Sequence, residues 1–256
     1  MVHAAILGRR RASRDPKPAH PRGLAAGAAG GHSLSAMASP TRSAPQLPYA
    51  AMRAAFLRFQ AADPEPQGEL EHLNAFTLLV AVALSAQATD VSVNKATRGL
   101  FAVADTPAAM LALGEEGLIA HIRTIGLFRT KARHVIRLSR ILVEDYGGEV
   151  PSSRAALQAL PGVGRKTANV VLNMWWHLPA QAVDTHIFRV GNRSGLAPGR
   201  DPEAVERAIE DNVPAEFQTH AHHWLILHGR YTCLARRPKC PSCLIRDLCL
   251  FKDKTE

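Results

Sequence analysis

The four cysteines of the chain, Cys233, Cys240, Cys243 and Cys249, all fall within its last 24 residues, in the pattern C-x6-C-x2-C-x5-C. Thiolates crowded into one short loop can each reach the same few ångströms, as ligands of one metal centre must. Disulfides fit less well, because the chain carries no recognisable secretory signal and no cysteine elsewhere to staple its body. Four thiolates suit either zinc or a [4Fe–4S] cluster. Zinc modules more often show two C-x2-C pairs, and here only Cys240 and Cys243 are so paired. The spacing favours iron–sulfur and leaves zinc open. Between the first two cysteines run Arg236, Arg237 and Lys239, a basic loop that the metal would brace and that could contact phosphates.

A second stretch with chemical potential reads Leu160-Pro161-Gly162-Val163-Gly164-Arg165-Lys166-Thr167-Ala168. Proline followed by Gly162 and Gly164 makes a tight bend whose backbone N–H groups can face outward without Cβ obstruction. The helix that starts there offers unsatisfied N–H groups and a positive dipole end to a phosphate oxygen. An ordinary turn between helices would look the same, but Arg165 and Lys166 tilt the reading to a helix–hairpin–helix that grips a nucleic-acid backbone. Lys166 lies in the first turn, where the dipole and Arg165 favour the free amine, the form that attacks an electrophilic carbon. A lysine that merely neutralises phosphate explains the position more simply on physics alone. Projected at 100° per residue, Val163, Thr167, Val170, Val171 and Met174 share one face, and Arg165, Lys166, Asn169 and Asn173 the other. Asp184-Thr185 is a good helix cap. Gly126 before Leu127 and Phe128 suggests a turn with an apolar tip, for which core packing is the plainer account. His186, His222, His223 and His228 lack an obvious carboxylate partner, which points to packing or phosphate contact rather than metal binding.

These residues sit among helix signals with almost no strand signal, so the fold class is all-α. Met52, Phe56 and Phe59 mark one face of a first helix that Pro64 and Pro66 end. Residues 74–86 form a strongly apolar helix, and residues 129–146 a basic amphipathic one with Ala132, Val135, Ile136 and Leu142 inward. Thr106-Pro107 and Asp201-Pro202 each read as N-cap plus N1 proline. A final helix spans roughly 214–228. Net charge is +9, which suggests an anionic partner. The excess is uneven: residues 1–45 hold seven Arg and Lys against Asp15 alone, so +6 lies there and +3 in the remainder. That stretch, rich in Ala, Gly, Pro and Ser, is expected to be disordered. It could be a nucleic-acid arm, a transit peptide or the product of an upstream start, with Met37 or Met52 as the later one; a solvated tail is the plainer reading. No apolar run is long enough to span a membrane, and a soluble intracellular protein is expected.

Ser85-Ala86-Gln87-Ala88-Thr89-Asp90, the segment Leu160–Asn173, Val183-Asp184-Thr185-His186-Ile187-Phe188-Arg189-Val190 and His222-His223-Trp224 through Cys233 together resemble endonuclease III. The likeness covers about residues 70–252 and leaves the first 45 outside. That family consists of bifunctional DNA glycosylase/AP lyases acting on oxidised pyrimidines, and its four-cysteine spacing is that of a [4Fe–4S] cluster. The resemblance thus implies iron–sulfur rather than zinc. It implies a six-helix barrel over 68–178, and a second helical domain of 46–67 with 179–256 that carries the cluster, with DNA across the cleft between them. It makes Lys166 the nucleophile and Asp184 the essential aspartate. Gln87 would fill the hole left by an extruded nucleotide, and Leu127 would be the wedge in the opposite strand. The expected partner is duplex DNA with oxidised pyrimidines or abasic sites, bound by a monomer that is cytoplasmic and nucleoid-associated in a bacterium. Two alternatives remain: a monofunctional adenine-mismatch glycosylase of the same fold, and a non-catalytic helix–hairpin–helix DNA-binding module. The first would need a Glu that does not occur from Leu73 to Asp90. The second would need neither Lys166 nor Asp184.

Overall fold

A computed structural model describes residues 45–256. All but the last residue of the expected disordered extension lies outside them. The described chain is helical with no strand. It runs through α1 (Tyr49–Ala62), α2 (Ala75–Ser85), α3 (Asp90–Phe101), α4 (Pro107–Ile122), α5 (Phe128–Tyr146), α6 (Arg154–Ala159) and α7 (Arg165–Trp176). Then follow α8 (Thr185–Ser194), α9 (Pro202–Asn212) and α10 (Gln218–Tyr231), with 3₁₀ turns at Ala215–Phe217 and Cys240–Ser242.

The expected caps form. Thr106 accepts from Ala109 N–H with Pro107 at N1, and Asp201 accepts from Ala204 N–H with Pro202 at N1. Asn74 and Thr77 close a reciprocal capping box that starts α2. The final helix begins later than its apolar pattern suggests, because residues 215–217 after Pro214 take a 3₁₀ turn first.

Two apolar cores divide the helices. The first is enclosed by α2 to α7 and includes Leu78, Leu79, Leu84, Leu118, Leu138 and Val171. The apolar helix α2 runs through its middle and buries eight of its eleven residues. Each large aliphatic side chain so buried contributes about 1.5–3 kcal/mol, which holds the turn after Ser85 on a firm base. The second core takes α1 together with α8, α9 and α10, and includes Met52, Phe56, Phe59, Ile187, Phe217 and Trp224. Phe56 stacks on Phe217 at 5.7 Å. At the crossing of α8 and α10, a Cβ on Gly229 would fall 2.8 Å from the His186 Cβ and 3.1 Å from its carbonyl oxygen. Glycine there lets the two helices approach, and this sets the start of α8 against α10.

Candidate active site

A cavity of about 510 Å³ opens where elements of both cores meet, and Lys166 and Asp184 both line it. Lys166 comes from the first turn of α7, and Asp184 caps α8. Asp184 Oδ1 accepts from the backbone N–H of His186 and Ile187, each at 2.8 Å. The capping role is therefore filled by one oxygen, and Oδ2 has no partner among the described residues. Capping also aims the carboxylate. The wall is completed by the Ser85–Ala88 turn, by Gln67–Leu70 and by α10 residues including His222, His223 and Arg230.

The polar face of α7 turns out to be a seam rather than a solvent face. Asn169 and Asn173 are buried. Asn169 donates to the Gln181 carbonyl at 2.8 Å and to Glu206 at 3.0 Å, and Asn173 donates to the carbonyls of Leu178 and Thr219. Arg165 also has a partner within the fold, although its side chain stays 38% exposed. Its Nε and Nη2 make a two-pronged pair with Glu206 of α9, both at 2.9 Å. This pair raises the already high pKa of the guanidinium. A local sequence pattern gives no sign of Glu206, because its partner lies 41 positions away.

The hairpin before α7 is open. Gly162 adopts φ +78°, and a Cβ there would also meet the His134 ring at 2.9 Å. Gly164 is different: nothing lies within 4 Å of a Cβ built on it. No side chain caps α7, so its first N–H groups are available to an outside acceptor. Four non-glycine residues among those described hold positive φ: Gln87 (59°), Leu127 (60°), His177 (53°) and Arg237 (49°). Such backbones cost about 1–3 kcal/mol each and cluster at working sites. Gln87, Arg236, Arg237 and Lys239 are exposed. Leu127 is 62% exposed, so it is not the core residue its apolar character suggests.

His222, His223 and His228 are buried. Burial, assisted by the charges of His223, Lys166 and Arg230, pushes the His222 pKa down to about 3. Burial beside His220 takes His223 to about 4. Both rings are neutral at ordinary pH. Arg230 bonds Asp90 at 2.7 Å and also pairs with Glu69, tying α10 to the start of α3.

All four cysteines border one small cavity together with Val190, Ser194, His228, Ile245 and Phe251. Among the described residues no three His, Cys, Asp or Glu side chains are grouped to hold a single metal ion. The loop is lashed from α8: Arg189 bonds the Cys233 carbonyl at 2.9 Å, and Arg193 bonds the carbonyls of Leu234 and Ala235 at 2.6 and 2.9 Å. From α1, Arg58 Nη2 reaches Asp247 at 2.9 Å. The sequence alone assigns the two α8 arginines no role at the loop. Their spacing of four on one helix, shortly before a cysteine loop, is the available signal.

Residues 80–215 match the HhH-GPD superfamily of base excision DNA repair proteins. Hairpin, helix starts and cavity therefore belong to a helix–hairpin–helix repair protein. Endonuclease III of Treponema pallidum is 62% identical over 198 residues, covering 77% of this chain and 94% of that protein. The Escherichia coli K12 protein of the same name is 60% identical over 199 residues, covering 78% and 94%. A solved structure of a trapped endonuclease III–DNA covalent intermediate, an estranged-adenine complex, superposes with TM-score 0.74 at 44% identity, covering 80% of this chain and 96% of that one. The chain belongs to the endonuclease III family.

Proposed function

We propose that Lys166 is the nucleophile and Asp184 its acid–base partner in this chain, a bifunctional DNA N-glycosylase and AP lyase of base excision repair. The substrate is duplex DNA bearing an oxidised pyrimidine or an abasic site. The observation that carries the reading is that helix starts packed in two different cores bring Lys166 and Asp184 to one cavity. A nucleotide swung out of the stack, at a cost of a few kcal/mol, would enter there.

The Lys166 amine attacks C1′ of the deoxyribose, and the C1′–N bond breaks with its electron pair leaving on the base. While the base leaves, the Asp184 carboxylate stabilises positive character at C1′, and its free oxygen then takes the proton that the Lys166 nitrogen loses on bonding to C1′. Ring opening gives a Schiff base between Lys166 and C1′. Loss of a C2′ proton then expels the 3′ phosphate by β-elimination. The strand is held by the uncapped start of α7 and by the hairpin, where open space beside Gly164 leaves room for a sugar–phosphate backbone. Arg165 serves this indirectly, by clamping α7 to α9. Arg236, Arg237 and Lys239 contact phosphates. Gln87 fills the hole left by the extruded nucleotide, and Leu127 wedges into the opposite strand.

The four cysteines suit a [4Fe–4S] cluster. A single zinc draws four thiolates to about 2.3 Å from one point, whereas the ligands of a cluster each take a different iron around a larger body. Four thiols that border one cavity, in the spacing C-x6-C-x2-C-x5-C, fit the second arrangement. When bound, the cluster supplies cross-linking of the loop. The two cores support a division into two domains, residues 68–178 and residues 46–67 with 179–256. Among the described residues no helix is long and apolar enough to cross a membrane. A DNA substrate in a bacterium puts the enzyme in the cytoplasm, at the nucleoid.

The test is borohydride trapping on a duplex containing thymine glycol. The unaltered protein should become covalently linked to DNA, and Lys166→Gln should lose both the adduct and strand cleavage while still binding. Trapping that persists in the variant places the nucleophile elsewhere.

A further inference from the structure

Lys131 is an oddity of the first core. It is a cationic side chain only 7% exposed, on the inward side of α5. Its Nζ donates to the carbonyl of Leu84 at 2.9 Å, in the last turn of α2. There the negative end of the helix dipole receives a cation well. Its own backbone N–H donates to the carbonyl of Leu127 at 3.0 Å. One residue therefore holds both the carbonyl three positions before Gln87 and the carbonyl of Leu127. Burial pushes the lysine's pKa down, as expected of an ammonium removed from water. An apolar side chain would fill this place with less desolvation, so the charge has a use other than packing. Gln87 and Leu127 sit at φ 59° and 60°, and neither has a side-chain cap to enforce that geometry. Leu127 begins α5 uncapped, and α2 ends in a tight turn in which the Ala88 N–H donates to the Ser85 carbonyl at 2.9 Å.

We propose that Lys131 is a positioning residue that fixes the spacing between Gln87 and Leu127, so that both enter the duplex in one concerted opening of the base pair. This rests on the reading of Gln87 and Leu127 as the residues that enter DNA. The ammonium cross-ties the end of α2 to the start of α5, and thus joins the gap-filling turn to the wedge turn. Without it the two turns move independently, and only steps that require an opened duplex suffer.

The experiment compares single-turnover β-elimination at an abasic site in duplex DNA with the same site in single-stranded DNA, where no pair has to be opened. Full-length, metal-loaded protein is used throughout. Lys131→Met should slow duplex cleavage by about 10- to 100-fold, the scale expected of a misplacement near 1 Å, and leave single-strand cleavage nearly unchanged. A 2-aminopurine opposite the site should lose its fluorescence rise in that variant. Lys131→Arg, which keeps charge and reach, should restore most of the duplex rate. Equal loss on both substrates, no loss on either, or failure of the arginine to rescue each overturns the proposal. Gln87→Ala and Leu127→Ala run alongside. If neither shows a duplex-specific loss, the underlying reading of those residues fails. If they show it and Lys131→Met does not, the cross-tie alone fails.

Discussion

Replacing Arg165 with Met should destabilise the protein more than replacing its partner Glu206 with Gln, and the reason is an asymmetry of burial. The Glu206 side chain is 4% exposed, whereas that of Arg165 is 38% exposed. Removing the guanidinium strands a carboxylate away from water, with only Asn169 at 3.0 Å and Arg154 at 3.6 Å left beside it. Breaking a buried pair in this way costs about 3–5 kcal/mol. The two remaining neighbours bring that toward the lower end, about 3 kcal/mol. Glu206→Gln instead keeps shape and one neutral hydrogen bond and frees an arginine that can turn to water, for about 1–2 kcal/mol. Unfolding temperature shifts by about 2–4 °C per kcal/mol in chains of this size. Thermal unfolding followed by circular dichroism should therefore fall by roughly 6–12 °C for Arg165→Met and roughly 2–8 °C for Glu206→Gln. The double variant should sit near Glu206→Gln rather than at the sum. Non-specific DNA binding should keep its salt slope in Arg165→Met. An Arg165→Met protein that melts normally but loses about one ion of salt slope would show that Arg165 holds phosphate in solution, and the pairing argument would be refuted.

Two further outcomes are expected. His222 and His223 stay neutral in the fold, with pKa values of about 3 and 4, while they titrate near 6.5 when unfolded. The unfolded chain thus binds more protons from pH 6.5 downward, and stability falls as pH drops through that window, by about 2 kcal/mol per histidine between pH 7.5 and 5. Denaturant unfolding at the two pH values checks this, and the His222→Asn, His223→Gln double variant should flatten the dependence. In the cysteine loop, Cys240→Ser should lower iron per chain, abolish the broad visible band of a cluster and reduce DNA affinity. A colourless unaltered protein containing zinc would contradict the cluster.

What could be read from the sequence was whatever is decided within a few residues. Thr106-Pro107, Asp201-Pro202 and Asp184-Thr185 start helices as expected, because a cap needs only its own first turn. Lys166 and Asp184, singled out in the sequence, line one cavity. Leu127 could be read either way: apolar residues after a turn are as often core as tip, and the left-handed backbone that exposes it leaves no mark in composition. Polar residues whose partners lie far along the chain were read least well. Asn169 and Asn173 share a polar side with Arg165 and Lys166 in projection, yet they are buried against carbonyls and a carboxylate supplied from up to 46 positions away. Lys131 looks like one more cation on a basic amphipathic helix, and its acceptor is 47 positions back. One sequence shows hydrophobic periodicity clearly, but not which distant acceptor a buried donor meets.

The second core joins α1 to helices that begin only at Thr185, which sets an order of events during synthesis. The buried residues of the first core all lie within residues 76–180, and it can close while the ribosome is still working. The Met52, Phe56 and Phe59 face of α1 has to wait on the order of 120 residues for its partners, which at about 5–20 residues per second is roughly 6–25 s. During that interval an aromatic surface made early in translation lies uncovered, open to chaperones and to neighbouring nascent chains. The cysteines follow α10, so any metal is loaded only after the helices that cover that surface have been made. On the cluster reading proposed above, a shortage of iron would therefore touch newly made protein first, before any change in the repair rate of molecules already complete.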